Sequence, residues 1–153
     1  MSRRRRAARW PRTLAAAALF ALGGALLVLG TRLGTARGEA AFPPEGRFIL
    51  VDGVRLHYVD DGPAAAPPVV LIHGNPGFLT DFDPARAALR RAGYRVVAFD
   101  RPGHGYSARP HPGRYTVEAQ ARLLHDLLAR LGVARPVLVG HSWGTTLALV
   151  YAL

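Results

Sequence analysis

Three short runs constrain this chain more than anything else in it: "VVLIHG" (69–74), "YRVVAFD" (94–100) and "RPVLVG" (135–140). The first is a continuous apolar stretch, too short for a core helix, of the kind buried on both faces of a parallel sheet; the other two read as further buried strands. Each runs into a loop, and helical signals separate them. Asp83 and Pro84 open a helix over Pro84–Ala92, ended by Gly93. Thr116 caps "VEAQARLLHDLLARLG", where Leu124, Leu127, Leu128 and Leu131 share one face and Gly132 closes the helix. A further helix is expected from about Trp143. Ahead of the three runs, "RFILVDGVRLHYVDDG" alternates apolar and polar residues around Asp52 and Gly53, a dipeptide suited to a two-residue turn with positive φ at both positions. The fold class is therefore α/β: an antiparallel hairpin, then parallel strands with right-handed crossover helices.

One hydrophobic helix precedes this domain. Residues 13–31, "TLAAAALFALGGALLVLGT", carry no charge and reach about 28 Å as a helix, close to the hydrocarbon thickness of a bilayer. Six arginines lie before the run, so residues 1–12 read as a basic cytoplasmic segment and the run as a transmembrane signal-anchor. A cleavable signal peptide is the alternative, with small-residue sites after Ala36 and Ala40, which would leave a secreted or periplasmic product. Residues 32–46, with Gly34, Gly38, Pro43 and Pro44, read as a linker to a domain spanning 47–153. The formal charge of +10 belongs mainly to this leader: residues 1–37 hold eight arginines and no acid, whereas twelve arginines face ten acids in the remainder. No basic face interleaved with aromatics lies outside the leader, so nucleic acid is not an expected partner. The chain has no cysteine, which removes disulfides, thiolate metal sites and a cysteine nucleophile. Neither a metal nor a cofactor is expected.

The third run ends in G-x-S-x-G: Gly140, His141, Ser142, Trp143, Gly144. Between a strand and a helix this pattern reads as a nucleophile elbow, with Ser142 as the nucleophile on a strained turn and Gly140 and Gly144 giving room to neighbouring backbone. The oxyanion that forms on a substrate carbonyl needs donors, expected from the Trp143 amide and from the loop "HGNPGF" (73–78). There Pro76 has no amide hydrogen, which leaves Asn75 as the best-placed donor. "FDRPGHGYS" (99–107) reads as a shaped structural loop, and His104 within it is not read as a base. His57, His111, His125 and His141 are likewise expected to be ordinary.

Through "HGNPG", "FDRPGHGYS" and "GHSWGT", taken in order, the chain resembles the α/β-hydrolase fold family over about residues 47–153. The resemblance implies an eight-stranded sheet, of which five strands are visible, and a triad whose Asp or Glu and then His follow the serine. Neither follows here, and "LALVYAL" runs out in mid-helix, so the chain is expected to be a C-terminally truncated, N-terminal part of such a domain. "HGNP" with a His-x-Trp-Gly elbow is similar to haloalkane dehalogenases and epoxide hydrolases, whose nucleophile is an aspartate. Ser142 in that place favours an acyl-enzyme route through an ester, lactone or amide of a small molecule. The resemblance of "SWGTTLAL" to proline iminopeptidases makes an aminopeptidase a minor alternative; an inactive fragment or a non-enzymatic binding protein is the other.

Overall fold

In a computed structural model of the chain, residues 10–109 and 115–153 are described; the arginines before residue 10 and His111 lie outside them. The chain divides into Met1–Pro43 and Pro44–Leu153. The first unit is built on one helix, α1 (Trp10–Ala41), whose stretch Thr13–Ala41 has the length and apolar composition shared by membrane spans and signal sequences. The helix runs ten residues past Thr31. Residues 32–41, expected to form most of a linker, are thus helical, because Gly34 and Gly38 are only weak helix breakers and the prolines come later.

In the second unit Asp52 (φ 46°) and Gly53 (φ 75°) turn the chain between β1 (Arg47–Val51) and β2 (Val54–Asp61), which pair antiparallel with Val51 opposite Val54. Three more strands follow, β3 (Pro68–Ile72), β4 (Arg95–Phe99) and β5 (Val137–Gly140). The sheet order is β1-β2-β4-β3-β5, with β3 parallel to both β4 and β5 and β2 antiparallel to β4. A 3₁₀ turn (Leu79–Phe82) leads into α2 (Asp83–Arg91), and α3 (Val117–Arg130) and α4 (Trp143–Ala152) complete the unit. Thr116 caps α3 by accepting from the Ala119 amide at 3.2 Å.

Period two in the central strands sorts their side chains into two layers. Val70, Ile72, Val97 and Phe99 pack with Leu124, Leu127 and Leu128 of α3 and Leu147 of α4. Val69, Leu71, Val96 and Ala98 face the other way, onto Leu79, Phe82 and Leu89. The third run departs from expectation. β5 is not buried: Val137 and Val139 are 61% and 40% exposed, because β5 is an edge strand and they share the face of Val69 and Leu71, where the cover from Leu79, Phe82 and Leu89 does not extend over β5.

Candidate active site

The parallel register places the C-terminal ends of β3, β4 and β5 side by side, so three loops distant in sequence meet at one edge of the sheet. From β5 the chain passes into α4 through Ser142, whose backbone (φ 52°, ψ −122°) occupies a region that favours glycine. Ser142 is exposed and its side chain makes no capping hydrogen bond to α4, although it sits at the helix N-terminus. The close approach of backbone explains the flanking glycines. A Cβ on Gly140 would stand 2.6 Å from the Gly144 carbonyl oxygen, and one on Gly144 would run into the carbonyl oxygens of Ile72 and His73. The His141 amide donates to the Ile72 carbonyl at 3.0 Å, which ties the elbow to the end of β3.

The loop after β3 lies directly against the serine. A Cβ on Gly74 would be 2.9 Å from Ser142 Cβ and 3.0 Å from His141 Nδ1. Asn75, Trp143 and Ser142 are thus brought into one neighbourhood, and no hydrogen bond within the described residues takes the Asn75 or Trp143 amide. The Asn75 side chain accepts from His104 Nε2 at 2.9 Å.

The loop after β4 is organised from Asp100. Its carboxylate accepts from the amides of Leu79 (2.8 Å) and Tyr106 (2.9 Å) and from His57 Nδ1 (2.7 Å). Ser107 Oγ donates to the Asp100 carbonyl at 2.6 Å and accepts from the His57 amide at 2.9 Å. His57 Nε2 faces the Glu45 carbonyl oxygen, so both ring nitrogens are engaged away from Ser142.

Arg101, the next residue, was not singled out by sequence reasoning. It is 2% exposed and reaches across to the β3 loop, donating from Nε to the His73 carbonyl (3.1 Å) and from Nη2 to the Gly74 carbonyl (2.8 Å). Its guanidinium lies 4.1 Å from the centre of the Trp143 ring. The available signal was an arginine at the mouth of a buried strand, preceded by an aspartate that the loop itself occupies.

His73 completes the link, accepting from the Arg101 amide at Nε2 (2.9 Å) and bonding the Gly74 carbonyl through Nδ1 (2.9 Å). Burial pushes its imidazole down to about 4, which keeps this neutral tautomer at neutral pH. The unfolded chain, with an ordinary histidine near 6.5, binds one more proton than the folded chain between these values. Stability from this group is therefore complete above pH 6.5 and declines as pH falls toward 4, by up to about 3 kcal/mol. Urea midpoints measured at pH 7 and pH 4.5 are expected to differ less in His73→Gln than in the wild type; equal differences would show that His73 is not the source.

The sequence model of the alpha/beta hydrolase fold matches residues 67–153. Haloalkane dehalogenase 2 of Mycobacterium tuberculosis is 34% identical over 112 residues, which are 73% of this chain and 38% of the dehalogenase. The sn-1-specific diacylglycerol lipase ABHD11 of Mus musculus is 42% identical over 94 residues, 61% of this chain and 30% of the lipase. Among solved structures, epoxide hydrolase A from Mycobacterium thermoresistibile matches with a TM-score of 0.68 and 34% identity, covering 72% of this chain and 35% of that one. The chain thus spans well under half the length of the relatives it matches. A five-stranded mixed sheet flanked by helices, with a glycine-bounded turn between β5 and α4, agrees with the match on its own terms. This chain belongs to the alpha/beta hydrolase fold family.

Proposed function

We propose that the chain is the N-terminal part of an exported, membrane-anchored serine hydrolase that cleaves an ester, lactone or amide of a small or lipid-like molecule through an acyl-enzyme. The observation that carries this reading is the backbone of Ser142, held at φ 52° at the start of α4 with its hydroxyl exposed and unused in capping. Strain of this kind costs about 1–3 kcal/mol and persists where the surroundings over-determine it. Ser142 Oγ attacks the substrate carbonyl and loses its proton to a histidine base. The Asn75 and Trp143 amides donate to the resulting oxyanion, which collapses as the protonated base gives its proton to the leaving group. Water, deprotonated by the same base, then releases the acyl group and regenerates the hydroxyl.

Four of the five described histidines are engaged elsewhere, which supports a base supplied from outside these residues: His57 is held by Asp100, His73 by Arg101, His104 bonds Asn75 and His125 bonds Asp126. The greater length of the relatives and the free outer edge of β5 support further strands, with the base and its carboxylate, adding beyond β5. A serine in place of an aspartate weighs against dehalogenation and epoxide opening, since an alkyl-serine ether offers water no carbonyl to attack. The name of the lipase relative accords with acyl transfer.

The reading is tested with a fluorophosphonate probe on the full-length protein. Labelling mapped to Ser142 is the expected result, and a folded protein that stays unlabelled would leave a binding protein as the better reading. With the proposed base supplied from beyond them, residues 1–153 by themselves are expected to label at least about 10³-fold more slowly. For the anchor, α1 and the arginine bias before it support a single span with the N-terminus cytoplasmic and the hydrolase domain outside. Carbonate-washed membranes are expected to retain the protein. A soluble product beginning near Arg37 or Ala41 would show signal cleavage instead.

A further inference from the structure

Resting on that reading of Ser142, we propose that Arg101 is a positioning residue of the same site, whose guanidinium sets both oxyanion donors by clamping the Gly74–Asn75 peptide and packing on Trp143. The Gly74 carbonyl receives Arg101 Nη2 at 2.8 Å and His73 Nδ1 at 2.9 Å. In a trans peptide the carbonyl and the following amide point in opposite directions, so fixing the Gly74 oxygen on one side aims the Asn75 N–H out of the other. The same two donors draw electron density toward that oxygen and strengthen the amide as a donor, an effect that grows where water is excluded. Arg101 Nε holds the preceding carbonyl, of His73, at 3.1 Å, so two successive peptides of the loop are fixed by one planar group.

The other face of the arrangement is Trp143. Its ring lies 4.1 Å from the guanidinium, and its own amide is the second proposed donor. One side chain therefore touches the peptide that carries one donor and the residue that carries the other. Among the described residues the guanidinium's hydrogen-bond acceptors are uncharged: the carbonyls of His73 and Gly74, and Gln120 Oε1 at 3.4 Å. Among the described residues no carboxylate pairs with it, and Asp100 beside it is taken by two amides and His57. An unpaired positive charge buried behind the donors favours negative charge in front of them. Burial lowers the guanidinium to about 10, still well above neutral pH.

The test compares wild type, Arg101→Met and Arg101→Lys in the full-length protein, with Ser142→Ala as the label control. Each is titrated with fluorophosphonate to count reactive sites, and kcat and KM for a p-nitrophenyl ester are expressed per labelled site. Removing one oxyanion donor outright costs about 10²–10³ in rate, so misaiming the pair in Arg101→Met is expected to lower kcat about 10–100-fold with KM within about threefold. Arg101→Lys keeps the charge but not the fork, and is expected to recover part of that loss. A merely structural arginine would reduce the number of labelled sites and leave kcat per site at the wild-type value. That outcome in either variant overturns the proposal. Should Arg101→Met fail to fold, Arg101→Lys decides alone: a kcat per site lowered threefold or more supports the clamp, and an unchanged one removes it. Labelling that survives Ser142→Ala overturns the serine reading, and the clamp with it, whereas wild-type labelling lost in Ser142→Ala beside unaltered Arg101 variants overturns the clamp alone.

Discussion

Ser142→Gly is expected to make the protein more stable and catalytically silent at once. The backbone at Ser142 (φ 52°, ψ −122°) matches the first central position of a type II′ turn, where glycine is at ease and a Cβ is not. Relief of that strain is worth about 1–3 kcal/mol, and the added freedom of glycine in the unfolded chain returns about 0.5–1 kcal/mol of it. A net gain of about 1 kcal/mol is expected, read as a higher urea midpoint. Turnover by the full-length protein is expected to fall at least about 10³-fold, since the acyl group has no acceptor and catalysis from the oxyanion donors alone is what remains. Ser142→Ala keeps the Cβ and so keeps the strain; it is expected to lose activity to the same extent with stability near the wild type. A destabilised Ser142→Gly would mean that the hydroxyl holds the elbow together, and an active one would end the proposed role of Ser142.

The second large effect is expected at Gly144. A Cβ there would run into the Ile72 carbonyl oxygen, with the His73 carbonyl oxygen at 2.7 Å and the Ile72 carbonyl carbon at 2.8 Å. All three atoms are backbone at the end of β3, so nothing flexible can give way. Gly144→Ala must therefore push α4 off the sheet, displacing Leu147 from the core layer it shares with Val70 and Ile72. Overpacking of a close-packed core costs about 1–3 kcal/mol, and a backbone clash belongs at or above the top of that range. Chemical denaturation is expected to show a loss of about 3 kcal/mol or more, together with a loss of labelling at Ser142. Near-wild-type stability would mean that α4 is free to shift, which the tight elbow does not allow.

Much of the fold is legible in the sequence because its signals are local. Asp52–Gly53 specifies the hairpin through two positive φ angles, and Thr116 and Gly132 mark the ends of α3 through a side-chain acceptor and a left-handed residue (φ 65°). The site of α3 follows from such caps and from 3.6-residue periodicity, and that of α2 from Pro84 at its start and Gly93 (φ 89°) past its end; Asp83, expected to cap α2, is instead its first residue, and no side chain caps that helix. What failed lay where a local signal was weak or an environment was assumed. Glycines at 34 and 38 suggested a break in a helix that runs through Ala41, and the apolar "RPVLVG" suggested burial for a strand that stands at the sheet edge. Apolar content records what a strand prefers to touch, whereas its exposure depends on which strands lie beside it and what covers its face.

The candidate site divides in the same way. Gly140, Ser142 and Gly144 are readable because a sharp strand-to-helix turn imposes its own residue types within five positions. Asn75, a donor in the proposed reading, was singled out by elimination within one loop, where proline lacks an amide hydrogen. Arg101 was not: its carbonyl partners lie 27 and 28 residues away in the chain, and its ring partner lies farther still. By itself the sequence determined the five strands, the positions of α2, α3 and α4 and the hairpin turn, and which turn carries a serine between glycines, but not where α1 ends. That β3 sits between β4 and β5, so that the three loops meet, was decided by tertiary structure alone, because the pairing of parallel strands depends on how separate apolar faces share one core.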